Sequence, residues 1–239
     1  MKKKLKNLKI EIFADGADKK SMIDLSKQKI VKGLTTNPSL MRKAGIKDYL
    51  KFSREILSKI KNKSISLEIF ADNEKEIERQ ARIISSLGKN VFVKIPIMNT
   101  KGKYLFSLIK KLSHEGIKIN VTAIFTLKQV KQLIKNLNPK TECYISIFAG
   151  RVADTGRDPS LIIISTKKLI KNKKKFKIIW ASTREVFNIF QADKLGCHII
   201  TVGHDFIKKF DTLDYDLNKF SLDTVKQFFS DAKKSNYKI

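Results

Sequence analysis

Eight short runs of β-forming residues, each set apart from the next by a longer stretch, constrain this chain more than any other feature. They are IEIFAD (10–15), VKGLTT (31–36), SISLEIF (64–70), VFVKIPI (91–97), KINVTAI (118–124), YISIFAG (144–150), FKIIWAS (176–182) and HIITVG (198–203). The intervening stretches carry helical patterns such as TLKQVKQLIKNL. In NEKEIERQARIISSLG, Ile77, Ala81 and Ile84 recur at helical spacing with charges between them. Asp158-Pro159 predicts a helix start, with Asp as N-cap and Pro at the first helical position. Strands alternating with helices imply parallel pairing and right-handed crossovers. Eight such units fit one α/β domain over residues 1–213, a closed (β/α)8 or TIM barrel. An open doubly wound sheet would be expected to show a Gly-rich phosphate turn after an early strand, and none is present. The last stretch, SLDTVKQFFSDAKKSNYKI, predicts an additional C-terminal helix within 214–239. Its apolar stripe is Val225, Phe228 and Phe229, suited to packing on the barrel or on a neighbouring subunit.

Length and composition narrow the class further. The chain has 239 residues, of which 42% are hydrophobic, enough to bury a core. No apolar run is long enough to span a bilayer, so no membrane partner is expected. The basic start MKKKLKNLKI is not followed by the apolar stretch and small-residue cleavage site of a signal peptide, so export is not expected. Cys143 and Cys197 stand far apart without CxxC spacing, which favours a reduced, cytoplasmic protein without structural zinc. The formal charge of +27 suggests polyanion binding. It comes, however, from 43 lysines spread along the chain against only seven arginines. Nucleic-acid readers draw on arginine for its planar fork. The lysines are expected on solvated helix faces, with nucleic-acid attraction no more than non-specific.

In parallel barrels the active site lies at the C-terminal ends of the strands. Read in order, those ends supply Asp15, Thr35-Thr36-Asn37, Glu68, Lys94, Asn120 with Thr122, Ser146 leading to Arg151, and Ser182 with Arg184. Residues two apart on a strand share a face, so Asn120 pairs with Thr122 and Ser146 with Phe148. Taken singly, each has a structural alternative. Asp15 suits a helix cap, Asn-Pro a turn, the arginines surface ion pairs, and Lys94 with Glu68 a buried ion pair. Together they put many polar groups in one place, which is costly unless they serve a ligand. A lysine inside an apolar strand is poorly solvated as an ammonium, and a neutral amine is a nucleophile. It can form a Schiff base with a ketone, and the imine then serves as an electron sink for C–C cleavage. Glu68 and Thr122 can hold and activate a water, and Asp15 can take the proton of the hydroxyl next to the breaking bond. Asn37 and Asn120 suit polyol hydroxyls. Arg151 and Arg184 suit a phosphate held bidentately.

GLTTNPS, VFVKIP, INVTAIF, YISIFAGR and IIWASTRE occur in this order between about Ile10 and Phe210. As a set they resemble the signature segments of the transaldolase family, which includes small fructose-6-phosphate aldolase-like members. The resemblance implies a class I aldolase barrel with Lys94 as Schiff-base lysine, Asp15 in C–C cleavage, and Glu68 and Thr122 positioning the catalytic water. It implies that Asn37, Asn120 and Ser146 hold the dihydroxyacetone part, and that Arg151, Ser182 and Arg184 bind the phosphate of a sugar phosphate. No metal or organic cofactor is implied, and a homo-oligomer is. Glu68 and Phe148 resemble transaldolases, whereas aldolase-type members tend to carry Gln and Tyr there. Phenylalanine has no hydroxyl to pass a proton or water to the intermediate, which favours transfer over release. The expected activity is transfer of a dihydroxyacetone unit from a ketose phosphate (fructose 6-phosphate or sedoheptulose 7-phosphate) to an aldose phosphate. The alternatives are an aldolase releasing free dihydroxyacetone and a non-catalytic basic barrel that binds polyanions. VADTGRDPS, with Arg157, and GHDF are the segments least like the family and are where specificity could be altered.

Overall fold

The computed structural model describes Leu5, residues 7–235 and Tyr237. The start MKKK, and the residues numbered 236, 238 and 239 in the expected helical extension, lie outside the described residues. Eight strands form a closed barrel in sequence order: β1 Glu11–Asp15, β2 Val31–Thr35, β3 Ser64–Glu68, β4 Val91–Pro96, β5 Ile119–Ile124, β6 Cys143–Ile147, β7 Phe176–Trp180 and β8 Ile199–Gly203. All pair in parallel, and β8 closes onto β1 with Asp15 opposite Gly203. The helices between and after them are α1 Lys19–Lys27, α2 Pro38–Lys43, α3 Tyr49–Lys59, α4 Glu74–Ser86, α5 Phe106–His114, α6 Leu127–Asn136, α7 Ala149–Ala153, α8 Ser160–Leu169, α9 Phe187–Lys194, α10 His204–Lys208 and α11 Leu217–Lys234. Among the described residues no helix is long and apolar enough to cross a membrane. Each predicted run holds a strand, but most strands stop short of the end of their run, and of the residues beyond them Phe148, Ala181 and Ser182 line the mouth.

The barrel has two apolar layers, and β4 contributes to both. Val91, Val93 and Ile95 pack outward among the helices, with Ile77, Ala81 and Ile84 of α4 in the same core. Phe92 points the other way and joins Phe13, Tyr144, Ile179 and Ile199 inside the barrel. Its ring stacks on Tyr144 at 3.9 Å and 8°, and Phe13 meets Tyr144 edge-on at 5.8 Å. Each such aromatic pair contributes about 1 kcal/mol beyond its buried area. This aromatic floor fills the inside of the barrel. Lys94 lies two residues beyond Phe92, so it emerges on the same inward face.

Two irregularities at the strand ends shape the mouth. In β5, Ala123 takes a φ of +57°, and the pairing with β6 slips between Val121 and Ile124. The bulge lets Asn120, Thr122 and Ala123 all reach the cavity while Ile124 returns to the outer core. Ser182, just past β7, has a φ of +66°, so the strand ends before Arg184. Phe148 likewise lies beyond β6, at the N-cap of α7, although it and Ser146 both reach the cavity.

Two helix starts differ from expectation. Helix α8 begins at Ser160, with Pro159 at the cap position. Asp158 still accepts from the Ser160 N–H at 2.8 Å, so its capping bond survives one turn position away. The C-terminal helix α11 begins at Leu217, where Asp216 accepts from the Lys219 N–H. None of its residues is buried, and Val225, Phe228 and Phe229 are 60%, 67% and 63% exposed. The helix therefore does not pack its stripe on its own barrel.

Candidate active site

The lysine sits where strand register places it. Lys94 is opposite Glu68 on β3 and opposite Asn120 on β5. It is only 8% exposed. Its Nζ donates to Glu68 Oε2 at 2.9 Å and to the Thr36 carbonyl at 3.0 Å. A lysine ammonium has three donors, so one remains for a ligand. The buried ion pair is thus real, and the 2.9 Å bond is also a route by which the amine can hand its proton to Glu68.

Asp15 closes β1 on the same side. Its Oδ1 accepts from Thr35 Oγ1 at 2.7 Å, and Asn37 Nδ2 lies 3.5 Å from Oδ2. Burial pushes its carboxyl above the usual carboxylate range, and the Lys94 charge and the Thr35 hydrogen bond offset only part of this. It caps no helix, because Asp18 caps α1. Asn37 does cap: its Oδ1 accepts from the Leu40 N–H at 3.0 Å ahead of Pro38 at the start of α2. Only its Nδ2 is left for a ligand.

A buried relay orients Asn120. Its Nδ2 donates to Ser66 Oγ at 3.0 Å, and Ser146 Oγ donates to its Oδ1 at 2.6 Å. Thr122 Oγ1 is buried with no hydrogen-bond partner among the described residues, which suits a hydroxyl that binds a small ligand or a water. Phe148 packs against Phe125, and Arg151 lies over its face at 5.3 Å. Arg184 is not free: it forms a forked ion pair with Asp154.

Asp15, Asn37, Glu68, Lys94, Asn120, Thr122, Ser146, Phe148, Arg151, Ser182 and Arg184 all line one cavity of about 560 Å³ at the C-terminal ends of the strands. The structure thus brings these eleven expected residues together, whereas Thr36 is buried without lining the cavity. Arg157 does not line the cavity and instead donates to Thr155 Oγ1. Sequence reasoning missed Ser66, and Thr35 as the partner of Asp15; Asp154 and the wall residues Gly203 and Phe206 lie within VADTGRDPS and GHDF, the segments flagged for specificity, but were not named individually. Ser66 had a readable signal. It lies two residues before Glu68 on one strand, and the same alternation that found Asn120 would have found it. The sequence flagged the segment of Asp154 but not its pairing with Arg184, which joins loops of different units. Among the described residues, no group of three or more His, Cys, Asp or Glu side chains is placed to hold a metal ion.

Fold and site define a class: a single (β/α)8 barrel with a polar pocket at the strand C-termini that holds a buried Lys–Glu pair and two arginines. The family model described as Transaldolase/Fructose-6-phosphate aldolase matches residues 12–239, and the chain belongs to that family. It is 34% identical over 196 residues to a "Probable transaldolase" of Thermoanaerobacter sp. (strain X514), covering 82% of this chain and 86% of that one. It is 31% identical over 229 residues to a "Probable transaldolase" of Nitrosopumilus maritimus (strain SCM1), covering 95% and 98%. A "Probable transaldolase 2" of Listeria monocytogenes serovar 1/2a is 34% identical over 201 residues, covering 84% and 88%. Solved structures share the fold at low identity. One is a cube-shaped, highly porous designed protein cage (TM-score 0.54, 11% identity, 96% of this chain and 80% of that chain). Another is a sulfite-bound flavocytochrome b2 variant (TM-score 0.54, 14% identity, 82% and 56%).

Proposed function

We propose that the protein is a transaldolase that carries a dihydroxyacetone unit on Lys94, from a ketose phosphate such as fructose 6-phosphate or sedoheptulose 7-phosphate to an aldose phosphate. The observation that supports this most is a lysine 8% exposed, bonded to Glu68 at 2.9 Å, in the same cavity as the Asp15 carboxyl. Lys94 gives a proton to Glu68 and its amine adds to the donor carbonyl. Loss of water, which Glu68 and Thr122 bind, leaves the protonated imine. Asp15 takes the proton of the hydroxyl on the second carbon from the imine carbon, the carbon that becomes the aldehyde of the leaving aldose. The C–C bond then breaks toward the imine, the aldose leaves, and the electron pair stays on Lys94 as an enamine. Burial favours Asp15 in both roles, as base in cleavage and as acid when the enamine attacks the acceptor aldehyde. Asn37, Asn120 and Ser146 hold the hydroxyls of the three-carbon unit. Arg151, Ser182 and Arg184 take the phosphate.

Phe148 favours transfer over the aldolase alternative, because its ring offers no hydroxyl to protonate the enamine. Incubation with fructose 6-phosphate alone separates the two. A transaldolase makes about one equivalent of free dihydroxyacetone per site at most and turns over only when an aldose phosphate is added. Catalytic release without acceptor would assign the aldolase. The reading extends to a homo-oligomer. Leu217, Phe220, Leu222, Val225, Phe228 and Phe229 of α11 are all more than half exposed, a stripe suited to a neighbouring subunit. Light scattering that returns a monomer at micromolar concentration would remove that part.

A further inference from the structure

The anion end of the cavity holds a charged group that the reaction above leaves unused. Asp154, at the C-terminal cap of α7, accepts from Arg184 with both carboxylate oxygens. Arg184 Nε donates to Oδ1 at 2.9 Å and to Oδ2 at 3.1 Å, and Nη2 donates to Oδ2. The Arg184 stem is fixed by a second feature. A methyl group on Gly150 would stand 1.6 Å from the Ser182 carbonyl oxygen and 3.3 Å from Arg184 Cγ. The Ser182–Arg184 segment therefore lies directly on the bare backbone of Gly150. The Asp154 N–H donates to the Gly150 carbonyl at 2.9 Å, so the carboxylate is anchored to the turn that Arg184 crosses. From the far side, Asn188 Oδ1 accepts the Arg184 N–H at 2.9 Å. Arg184 is held at its backbone, its stem and its fork.

We propose that Asp154 is a positioning residue that sets this site's preference for a phosphate monoester, by gripping the Nε–Nη2 edge of Arg184 so that the other edge faces the ligand. The inference rests on the transaldolase reading above. A guanidinium has five N–H donors in one plane. Asp154 occupies Nε and one N–H of Nη2, and the edge formed by Nη1 and the second Nη2 hydrogen matches two oxygens of a phosphate. Two effects of opposite sign meet here. Removing the carboxylate leaves Arg151 and Arg184 uncompensated, which attracts any anion and is screened by salt. It also frees a long side chain, which weakens only a ligand that needs the fork already aimed. A bidentate Arg–carboxylate pair is the surface geometry in which the orienting effect is worth most, and orientation survives salt. The orienting effect is therefore expected to win.

The test compares the wild-type protein with Asp154→Asn and Asp154→Glu. Calorimetry measures the affinity for glycerol 3-phosphate with ~0.5 M added salt, where long-range attraction is screened. Steady-state assays give kcat/KM for fructose 6-phosphate and for unphosphorylated fructose as donors. Asp154→Asn is expected to weaken glycerol 3-phosphate about tenfold and to lower the phosphorylated-to-unphosphorylated kcat/KM ratio by a similar factor through KM, with partial recovery in Asp154→Glu. Unchanged or tighter binding overturns the proposal, as does an equal loss on both donors, which marks a merely structural role. Borohydride trapping of dihydroxyacetone on wild-type Lys94 tells the two failures apart. An adduct together with an Asp154→Asn affinity that does not fall overturns the role of Asp154 and leaves the transaldolase reading standing. No adduct together with the expected tenfold loss overturns the reaction and leaves the anion role of Asp154 standing.

Discussion

The lysine end of the cavity stands on regular, buried strand, whereas the arginine end stands on irregular backbone half in solvent. Glu68, Lys94 and Asn120 are neighbours in register on three adjacent strands. Their relative positions are set by ladder hydrogen bonds and by the aromatic floor beneath. Arg151 and Arg184 come instead from a short helix and a loop after Ser182, whose left-handed conformation costs about 1–3 kcal/mol. Arg184 and its partner Asp154 are each 48% exposed. The difference matches the two tasks of the proposed reaction. Covalent chemistry needs an amine and two carboxyls held in a dry place to fractions of an ångström. Capture of a dianion needs an accessible fork, aimed by side-chain partners such as Asp154 rather than by strand register.

This contrast predicts a gradient of mutational effects, steepest at the lysine. Lys94→Met removes the nucleophile and is expected to lower transfer by at least about 10⁴-fold while circular dichroism stays that of the folded wild type. Normal turnover in that variant would erase the distinction between the two ends. Asp15→Asn comes next, with a loss of about 10²–10⁴-fold. It also has a pH signature. The folded carboxyl has its pKa raised, so the folded state holds its proton over a pH window where the unfolded chain has lost it. Stability of the wild type then falls as pH rises through that window. Asp15→Asn is expected to gain melting temperature relative to wild type from acid to neutral pH, and a constant difference would show that burial does not strain this group.

Ser66→Ala tests the floor of the site without touching the ligand. It leaves the buried Asn120 Nδ2 without its acceptor, a cost of about 1–3 kcal/mol, and is expected to slow transfer about tenfold. Wild-type rate and stability would mean that Ser146 alone orients Asn120. The smallest effect is expected from Phe148→Tyr, a rise of a few-fold in free dihydroxyacetone relative to transfer. An unchanged ratio would show that the acceptor end, and not a missing hydroxyl, decides the product.

The same contrast explains what could be read from the chain. Eight β-rich runs alternating with helical patterns were enough to find the barrel, and strand-end position was enough to place Lys94, Glu68 and Asn120 at its mouth. These features are local to single strands. The segment of Asp154 was flagged, but the role of this residue was not legible, because it depends on Gly150 lying bare beneath Arg184, a contact between distant units. The positive φ angles of Ala123 and Ser182 carry no signal in residue type, since neither is glycine. Helix α11 was legible as a helix, but its amphipathic pattern could not say that its apolar stripe stays uncovered by its own barrel.

The proposed covalent role of Lys94 is tested most directly by borohydride reduction in the presence of fructose 6-phosphate, followed by peptide mass mapping. The expected result is one stable three-carbon adduct per site, on Lys94, lost in Lys94→Met. No adduct in folded protein, or an adduct on another lysine, would contradict it.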